Sequence, residues 1–317
     1  MNLFSGVAKP PKGVADFWDV NYHRSEEDRD FWMAHPLCRR TVNRRVSGAE
    51  ETWPLDYLYM STHGRRFHRL LSLGCGTGRL ERAISTHRIA ELIEGVDGSP
   101  VSIELAKQRA REERLSNIDY TTADLNDLEL RRSRYDAVVF HQSLHHVRAV
   151  ERLLAQVRRA LTVDGVLFLE EWVGPSRTEW NEARLAGLRA LFEEVPPEWR
   201  KWPDVRAPIE EADPTEAVRS SAIRPAVRRL FRTLLAKPYG GQIVSILLPQ
   251  INRDVVPAAA LDELIAKWLS LEDEQLRSEP DSSYCAAVLA VPRRGFGAVA
   301  GRLANASCGI YSAWRNE

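Results

Sequence analysis

A chain of 317 residues, at ~150 per domain, is one large domain or a core with a substantial addition, not a string of modules. Lys plus Arg and Asp plus Glu each total 44, so the formal net charge is zero and the usual electrostatic case for a nucleic-acid or anionic-membrane partner is missing. With 44% hydrophobic and 28% charged residues, the composition is that of a folded globular protein and excludes wholesale disorder.

Cys38, Cys75, Cys285 and Cys308 are scattered without a C-x-x-C pair, which argues against a disulfide scaffold or a structural zinc site and fits a reducing, cytoplasmic location. The opening MNLFSGVAKPPKG lacks the apolar stretch of a signal peptide, and the best apolar run elsewhere, Ile243 to Leu248, stops at Pro249. No membrane span is expected.

Residues 1–66 read as an N-terminal helical cap, with helical patterns around Phe17 to Tyr22 and Asp28 to Arg45. From Phe67 short apolar runs (Leu70 to Leu73, Leu92 to Val96, Ala137 to Phe140, Val166 to Leu169) alternate with helical stretches at Arg79 to Thr86, Pro100 to Leu115 and Val150 to Leu161. Asp164-Gly165 is expected to separate the last helix from the next strand. That alternation predicts an α/β fold, a Rossmann-like doubly wound sheet, mostly parallel and covered on both faces.

Residues 67–174 form the predicted core, and 175–231 read as a helical insertion, including a helix capped by Asp213-Pro214 and running through Arg219. The segment 232–292 completes the sheet. It holds a strand from about Arg232 to Tyr239, helices at about 243 to 249 and 258 to 278, and a last strand from Tyr284 to Val291. These two strands should pair antiparallel at one edge. The tail, 293–317, carries no clear element, and no internal repeat is evident.

Leu70-Leu71-Ser72-Leu73-Gly74-Cys75-Gly76-Thr77-Gly78 is an apolar strand running into a glycine turn and a helix, where backbone amides and the helix N-terminus favour a small polar ligand. Arg79 stands where a dinucleotide fingerprint needs its third glycine, so NAD and FAD are the poorer reading. Asp97, ending the second apolar stretch, can accept two ribose hydroxyls, and Asp124, at the third strand end, can meet an exocyclic amino group. Three strand ends in order describe an adenosine-shaped site.

Here the sequence resembles the class I S-adenosylmethionine-dependent methyltransferases. LLSLGCGTG looks like their first motif, GVDGS their acidic second and TADLN their third, with YDAVVFHQSLHHV and LTVDGVLFLEEWVG at the fourth and fifth strands. The resemblance covers roughly 70 to 174 and implies S-adenosylmethionine as cofactor. It implies that Gly74, Cys75, Gly76 and Gly78 line the methionine part, Asp97 the ribose, Asp124 with Leu125 the adenine, and His141 with Gln142 the reacting end, with Gly98 a further cofactor contact. Phe17 to Tyr22 resembles the aromatic helix that folds over the cofactor, which makes Tyr22 a carboxylate contact. Ser72 stands where many members have Asp or Glu, a departure from the pattern that anchors the cofactor's amino group.

In an open parallel sheet the chemistry lies beyond the carboxyl ends of the strands, which brings His141 to His146 and Glu170 to Trp172 around the transferred methyl group. Methyl transfer to a hydroxyl must also remove a proton, which suits a histidine. His145 and His146 are therefore the first candidate bases and Glu171 the next, and as neighbours only one of the two histidines is expected to face the pocket. No Asp/Asn cluster suggests a magnesium site and no N-P-P-Y an amide- or base-methylating enzyme, so a metal-independent O-methyltransferase acting on a small-molecule or sugar-containing acceptor is expected. Trp172, Trp180, Trp199 and Trp202 could stack on that acceptor, Asp213, Glu216 and Arg219 could offer polar groups from one helix face, and Tyr239 could touch it from a lid. Two alternatives stand beside this: cyclisation of the cofactor itself, and a non-catalytic binding module. Oligomeric state stays open, with a homodimer among the options.

Overall fold

The apolar runs become seven strands. In the computed structural model, which describes residues 31–52, 54–209 and 213–293, these are β1 (Phe67–Leu73), β2 (Ala90–Asp97), β3 (Ile118–Thr122), β4 (Tyr135–His141), β5 (Leu161–Trp172), β6 (Phe231–Gly240) and β7 (Cys285–Pro292). They form one sheet in the order β3-β2-β1-β4-β5-β7-β6. The first five strands pair in parallel, and β7 runs antiparallel to both β5 and β6. The order reverses at β1, whose successor β2 lies on one side and β4 on the other. A parallel sheet of this kind opens a crevice at such a point, beyond the carboxyl ends of its strands.

Helices cover both faces: α1 (Pro36–Ser47), α2 (Pro54–Ser61), α3 (Arg79–Thr86), α4 (Pro100–Glu112), α5 (Val150–Ala160), α6 (Glu182–Glu193), α7 (Ile223–Leu230), α8 (Val244–Leu247) and α9 (Ala258–Ser278). Alternate strand residues feed opposite cores, as the two-residue strand period requires. Leu70 and Val139 join Val42 of α1, Ile84 of α3 and Ile265 and Trp268 of α9. Their neighbours Leu71 and Val138 join Leu153, Leu154 and Val157 of α5 and Ala226 and Val227 of α7. Burying each such Leu or Val contributes roughly 1.5–3 kcal/mol.

The N-terminal helices share the core rather than standing apart from it. Arg45 of α1, 7% exposed at its side chain, pairs with Glu272 of α9 at 2.8 Å and donates to the Tyr239 carbonyl at 2.9 Å. Glu272 Oε1 accepts the backbone N–H groups of Gly241, Ile243 and Val244, fixing the chain where it leaves β6.

Two expectations need correction. Asp164-Gly165 does not separate helix from strand, because β5 begins at Leu161, directly after α5. Gly165 lies inside the strand near an irregularity in its register with β4, where a Cβ would come within 3.0 Å of the Tyr135 carbonyl oxygen. The stretch from Asp213 to Arg219 is a turn, not a helix. Asp213 Oδ1 accepts from the Thr215 N–H at 2.8 Å and from its hydroxyl at 2.6 Å, a local closure that competes with helical bonding, and Ala217 sits at φ 47°. The Phe17 to Tyr22 pattern and the tail beyond residue 293 lie outside the described residues.

Candidate active site

At the end of β1 the chain turns through Gly74, Gly76 and Gly78, all at positive φ. A Cβ on Gly74 would lie 2.3 Å from that of Ser143, and one on Gly78 would lie 2.4 Å from the Tyr120 hydroxyl, so both positions demand glycine on space as well as on conformation. Gly76 and Gly98 differ: a Cβ on either would meet nothing within 4 Å. Asp97 ties the two turns together, its Oδ2 accepting the Gly76 N–H at 2.8 Å and its Oδ1 the Ser99 N–H at 2.9 Å. Cys75 lies beside these groups with its thiol pushed far up by burial and by the nearby Glu81 and Asp97. Asp124, 8% exposed, follows β3 and closes an Asx turn onto Asn126, with the half-buried Leu125 between them.

A residue the sequence reading missed lies beneath this turn. Glu81, in the first turn of α3, is fully buried, and neither of its carboxylate oxygens has a hydrogen-bond partner. Burial pushes its carboxyl up to about 7, opposed by the Ser72 hydroxyl and by His141. An acid in the first turn of a helix ordinarily serves the dipole, so sequence position alone did not single it out. The signal was Ser72, which left the expected acidic position empty and called for a replacement nearby.

Across the crevice, β5 delivers two buried carboxylates, Glu170 and Glu171, beside the end of β4. Glu170 faces the half-exposed His141, whose Nδ1 is 2.6 Å away, and its Oε1 accepts from Gln142 Nε2 at 2.9 Å and from the Tyr239 hydroxyl. Gln142 adopts φ 51°, held by its N–H donating to the Glu170 carbonyl. Tyr239 is thus buried in β6 and supports the site from behind rather than lining a lid.

Glu171 serves the next turn. Its Oε1 accepts the N–H groups of Ser143 and Leu144, both at 2.5 Å, and its Oε2 meets His145 Nδ1 at 2.7 Å. These bonds shape the single 3-10 turn Leu144–His146. Burial lowers the affinity of His145 for a proton, but the Glu171 carboxylate outweighs it and holds the imidazole at about 9. His146 is lowered by burial and by the neighbouring His145.

Only one histidine was expected to face the pocket, yet both turn the same way. Their ring centroids are 4.2 Å apart, and their Nε2 atoms lie 3.9 and 3.8 Å from the two oxygens of Glu216. Glu216 arrives on the 213–219 turn, which is clamped by the Val218 N–H donating to the His145 carbonyl and by Arg177 donating to the Asp213 carbonyl. Asp213 and Glu216 therefore reach the histidines from a turn, whereas Arg219 points away and pairs with Glu151 of α5.

Of the four tryptophans, Trp172 and Trp180 pack edge-on against Tyr284, at 5.3 and 6.0 Å between centroids, and Trp199 packs on the core. Trp202 is 41% exposed, with Arg206 stacked on its ring at 3.8 Å. Tyr22 lies outside the described residues.

This constellation, a glycine turn at the reversal of strand order with acidic residues closing the next two strands, agrees with what comparison finds. Residues 71–169 match the family model described as a methyltransferase domain. The chain carries a class I S-adenosylmethionine-dependent methyltransferase domain, and S-adenosylmethionine is the cofactor of that class. Over 119 residues it is 29% identical to a ubiquinone biosynthesis O-methyltransferase of Actinobacillus pleuropneumoniae, covering 36% of this chain and 50% of that protein. It is 27% identical over 103 residues to an (S)-coclaurine N-methyltransferase of Thalictrum flavum, covering 32% and 28%. The match thus spans half or less of these relatives' own length. Among solved structures the [4+2]-cyclase SpnF is similar in fold, with a TM-score of 0.55 and 17% identity over 92% of this chain and all of that one. Among the described residues no helix is long and apolar enough to cross a membrane.

Proposed function

We propose that the protein transfers the methyl group of S-adenosylmethionine to a hydroxyl oxygen of a small-molecule or sugar-containing acceptor. The observation that carries this reading is the meeting of two half-sites in one crevice: the glycine turn braced by Asp97, and the histidine pair braced by Glu171. The bound cofactor would supply an electrophilic methyl carbon with the sulfur as leaving group, and the acceptor's hydroxyl proton would pass to the histidine pair.

The residues fit such a cofactor. Gly74, Cys75, Gly76 and Gly78 would border its methionine part, Asp97 and Gly98 its ribose, Asp124 and Leu125 its adenine, and His141 and Gln142 its reacting end. The open space above Gly76 and Gly98 supports this assignment. Glu81 answers the Ser72 departure: an ammonium is the group that an unpartnered buried carboxylate behind the glycine turn would take. His145, His146 and Glu216 activate the acceptor. Glu171, with both oxygens engaged, positions His145 instead of acting as the base. Residues 67–174 thus serve the cofactor, and 175–231 supply the acceptor side.

The relatives' names include both O- and N-methyltransferases, and a cyclase has a similar fold, so the test must identify products. The protein is incubated with S-adenosylmethionine, with and without a panel of phenolic and sugar hydroxyls, and the sulfur products are separated by mass spectrometry. S-adenosylhomocysteine formed only with acceptor, beside an O-methylated product, is the expected result. Methylthioadenosine formed without acceptor would overturn the reading in favour of cofactor cyclisation.

A further inference from the structure

We propose that His145, His146 and Glu216 form a binding site for a divalent first-row transition cation, with Glu171 and Asp213 as its outer carboxylates. Each imidazole has its Nδ1 tied to a buried acid, that of His145 directly to Glu171 and that of His146 through the Thr215 hydroxyl, which donates to Asp213 Oδ1. His145 Nδ1 is 2.7 Å from Glu171 Oε2, while His146 Nδ1 is 3.2 Å from the Thr215 hydroxyl and 3.4 Å from Asp213 Oδ2. A ring held through Nδ1 presents its Nε2 to a metal, which takes the place of any proton there; such hydrogen-bonded partners are the usual outer support of metal-ligating histidines. Both Nε2 atoms converge on Glu216, and one ligand atom from each of the three residues lies within 4.8 Å of the others.

The charge balance points the same way. Asp213 is 1% exposed and its Oδ2 has no hydrogen-bond partner. Together with the buried Glu171 and the partly exposed Glu216, it surrounds two imidazoles with three carboxylates. A dication offsets that excess without requiring either ring to be protonated. Preorganisation adds to it, since Glu171 builds the histidine turn and the Val218 N–H pins the Glu216 turn to the His145 carbonyl at 3.2 Å. Two imidazoles and one carboxylate suit zinc, iron or cobalt better than calcium or magnesium, and three protein ligands leave coordination positions open.

The expectation of metal-independent chemistry rested on the absence of an Asp/Asn cluster; this site is built from histidines instead. The role of the cation rests on the proposed function: the open positions would take the acceptor oxygen and acidify it. Cation binding itself does not depend on that reading.

The experiment treats the full chain with a chelator and titrates it with zinc by calorimetry and with cobalt by visible absorption, measuring S-adenosylhomocysteine affinity in parallel. One zinc per chain with micromolar or tighter affinity, and cobalt bands of low-coordinate nitrogen–oxygen character, are expected. Glu216→Ala and His146→Ala should each weaken zinc at least tenfold, and Asp213→Asn by about 10- to 100-fold, the usual cost of losing an outer partner. All three should keep S-adenosylhomocysteine affinity, which also reports that they fold. Absence of saturable zinc and cobalt binding by wild type, or zinc affinity unchanged in Glu216→Ala and His146→Ala, would overturn the site. If S-adenosylhomocysteine binds and zinc does not, the site falls and the methyltransferase reading stands. If zinc binds and S-adenosylhomocysteine does not, the reverse holds.

Discussion

Replacing Glu81 by glutamine removes an ionisable group from under the glycine turn with almost no change of shape. In the fold its carboxyl is raised from 4.5 to about 7, chiefly by burial. A raised acid keeps its proton in the folded state over a range where the unfolded chain has lost it. Stability therefore falls as pH rises from about 4.5 to about 7 and is level above that. At ~1.4 kcal/mol per pH unit, this gap costs the ligand-free protein about 3 kcal/mol at pH 8 relative to a neutral side chain. Urea unfolding of wild type and Glu81→Gln at pH 5 and pH 8 measures it. The variant should exceed wild type by about 1 kcal/mol at pH 5 and by about 3 kcal/mol at pH 8. Wild type should recover part of that loss when S-adenosylhomocysteine is added, because an ammonium beside Glu81 favours the ionised form, while the variant should bind the ligand about tenfold more weakly. Stability curves that stay parallel from pH 5 to pH 8 would refute the burial argument. Equal ligand affinities would refute the ammonium contact.

Three other substitutions test the frame around the site. Gly74→Ala puts a Cβ 2.3 Å from that of Ser143 at φ +75°, and should lower stability by about 1–3 kcal/mol by chemical denaturation and abolish S-adenosylhomocysteine binding by calorimetry. Asp97→Ala releases the Gly76 and Ser99 amides at once and should weaken that ligand at least tenfold with a smaller effect on thermal unfolding; unchanged affinity would remove the ribose assignment. Glu272→Ala removes one of the two carboxylates that pair with the buried Arg45, leaving Asp273, and strips three buried backbone N–H groups of their acceptor, and should cost about 3–5 kcal/mol of stability in denaturant titration.

The sheet was readable because its strands are buried on both faces and so appear as continuous apolar runs; even the antiparallel pairing of β6 with β7 followed from two late apolar strands separated by helices. The glycine turn was readable for another reason: one short stretch carries it, and Gly74 and Gly78 have no alternative residue in the space available. Glu81 escaped because its environment is created by packing, which depth in the fold supplies and local sequence does not. The 213–219 segment was misread because helical spacing of Asp213 and Glu216 was taken at face value, while the Asp213-Thr215 closure competes for the same backbone groups.

The histidine pair exposes a limit of reasoning from adjacency. Adjacent side chains generally leave the backbone in different directions, which argued for a single inward histidine. What reunites the rings is that separate carboxylates hold them, Glu171 from β5 and Asp213 from a turn about seventy residues downstream. The same point bears on the net charge of zero, which described the chain but not the site. At the carboxyl end of the sheet Glu81, Glu170, Glu171, Asp213 and Glu216 gather around the imidazoles of His141, His145 and His146, while Asp97 and Asp124 stand at the ends of β2 and β3, a locally acidic crevice inside a neutral protein. Such a field favours cationic ligands. It suits a cofactor bearing a sulfonium and an ammonium, and equally a dication at His145 and His146, so the balance that made a polyanionic partner unpromising is resolved locally into an acidic site for positive charge.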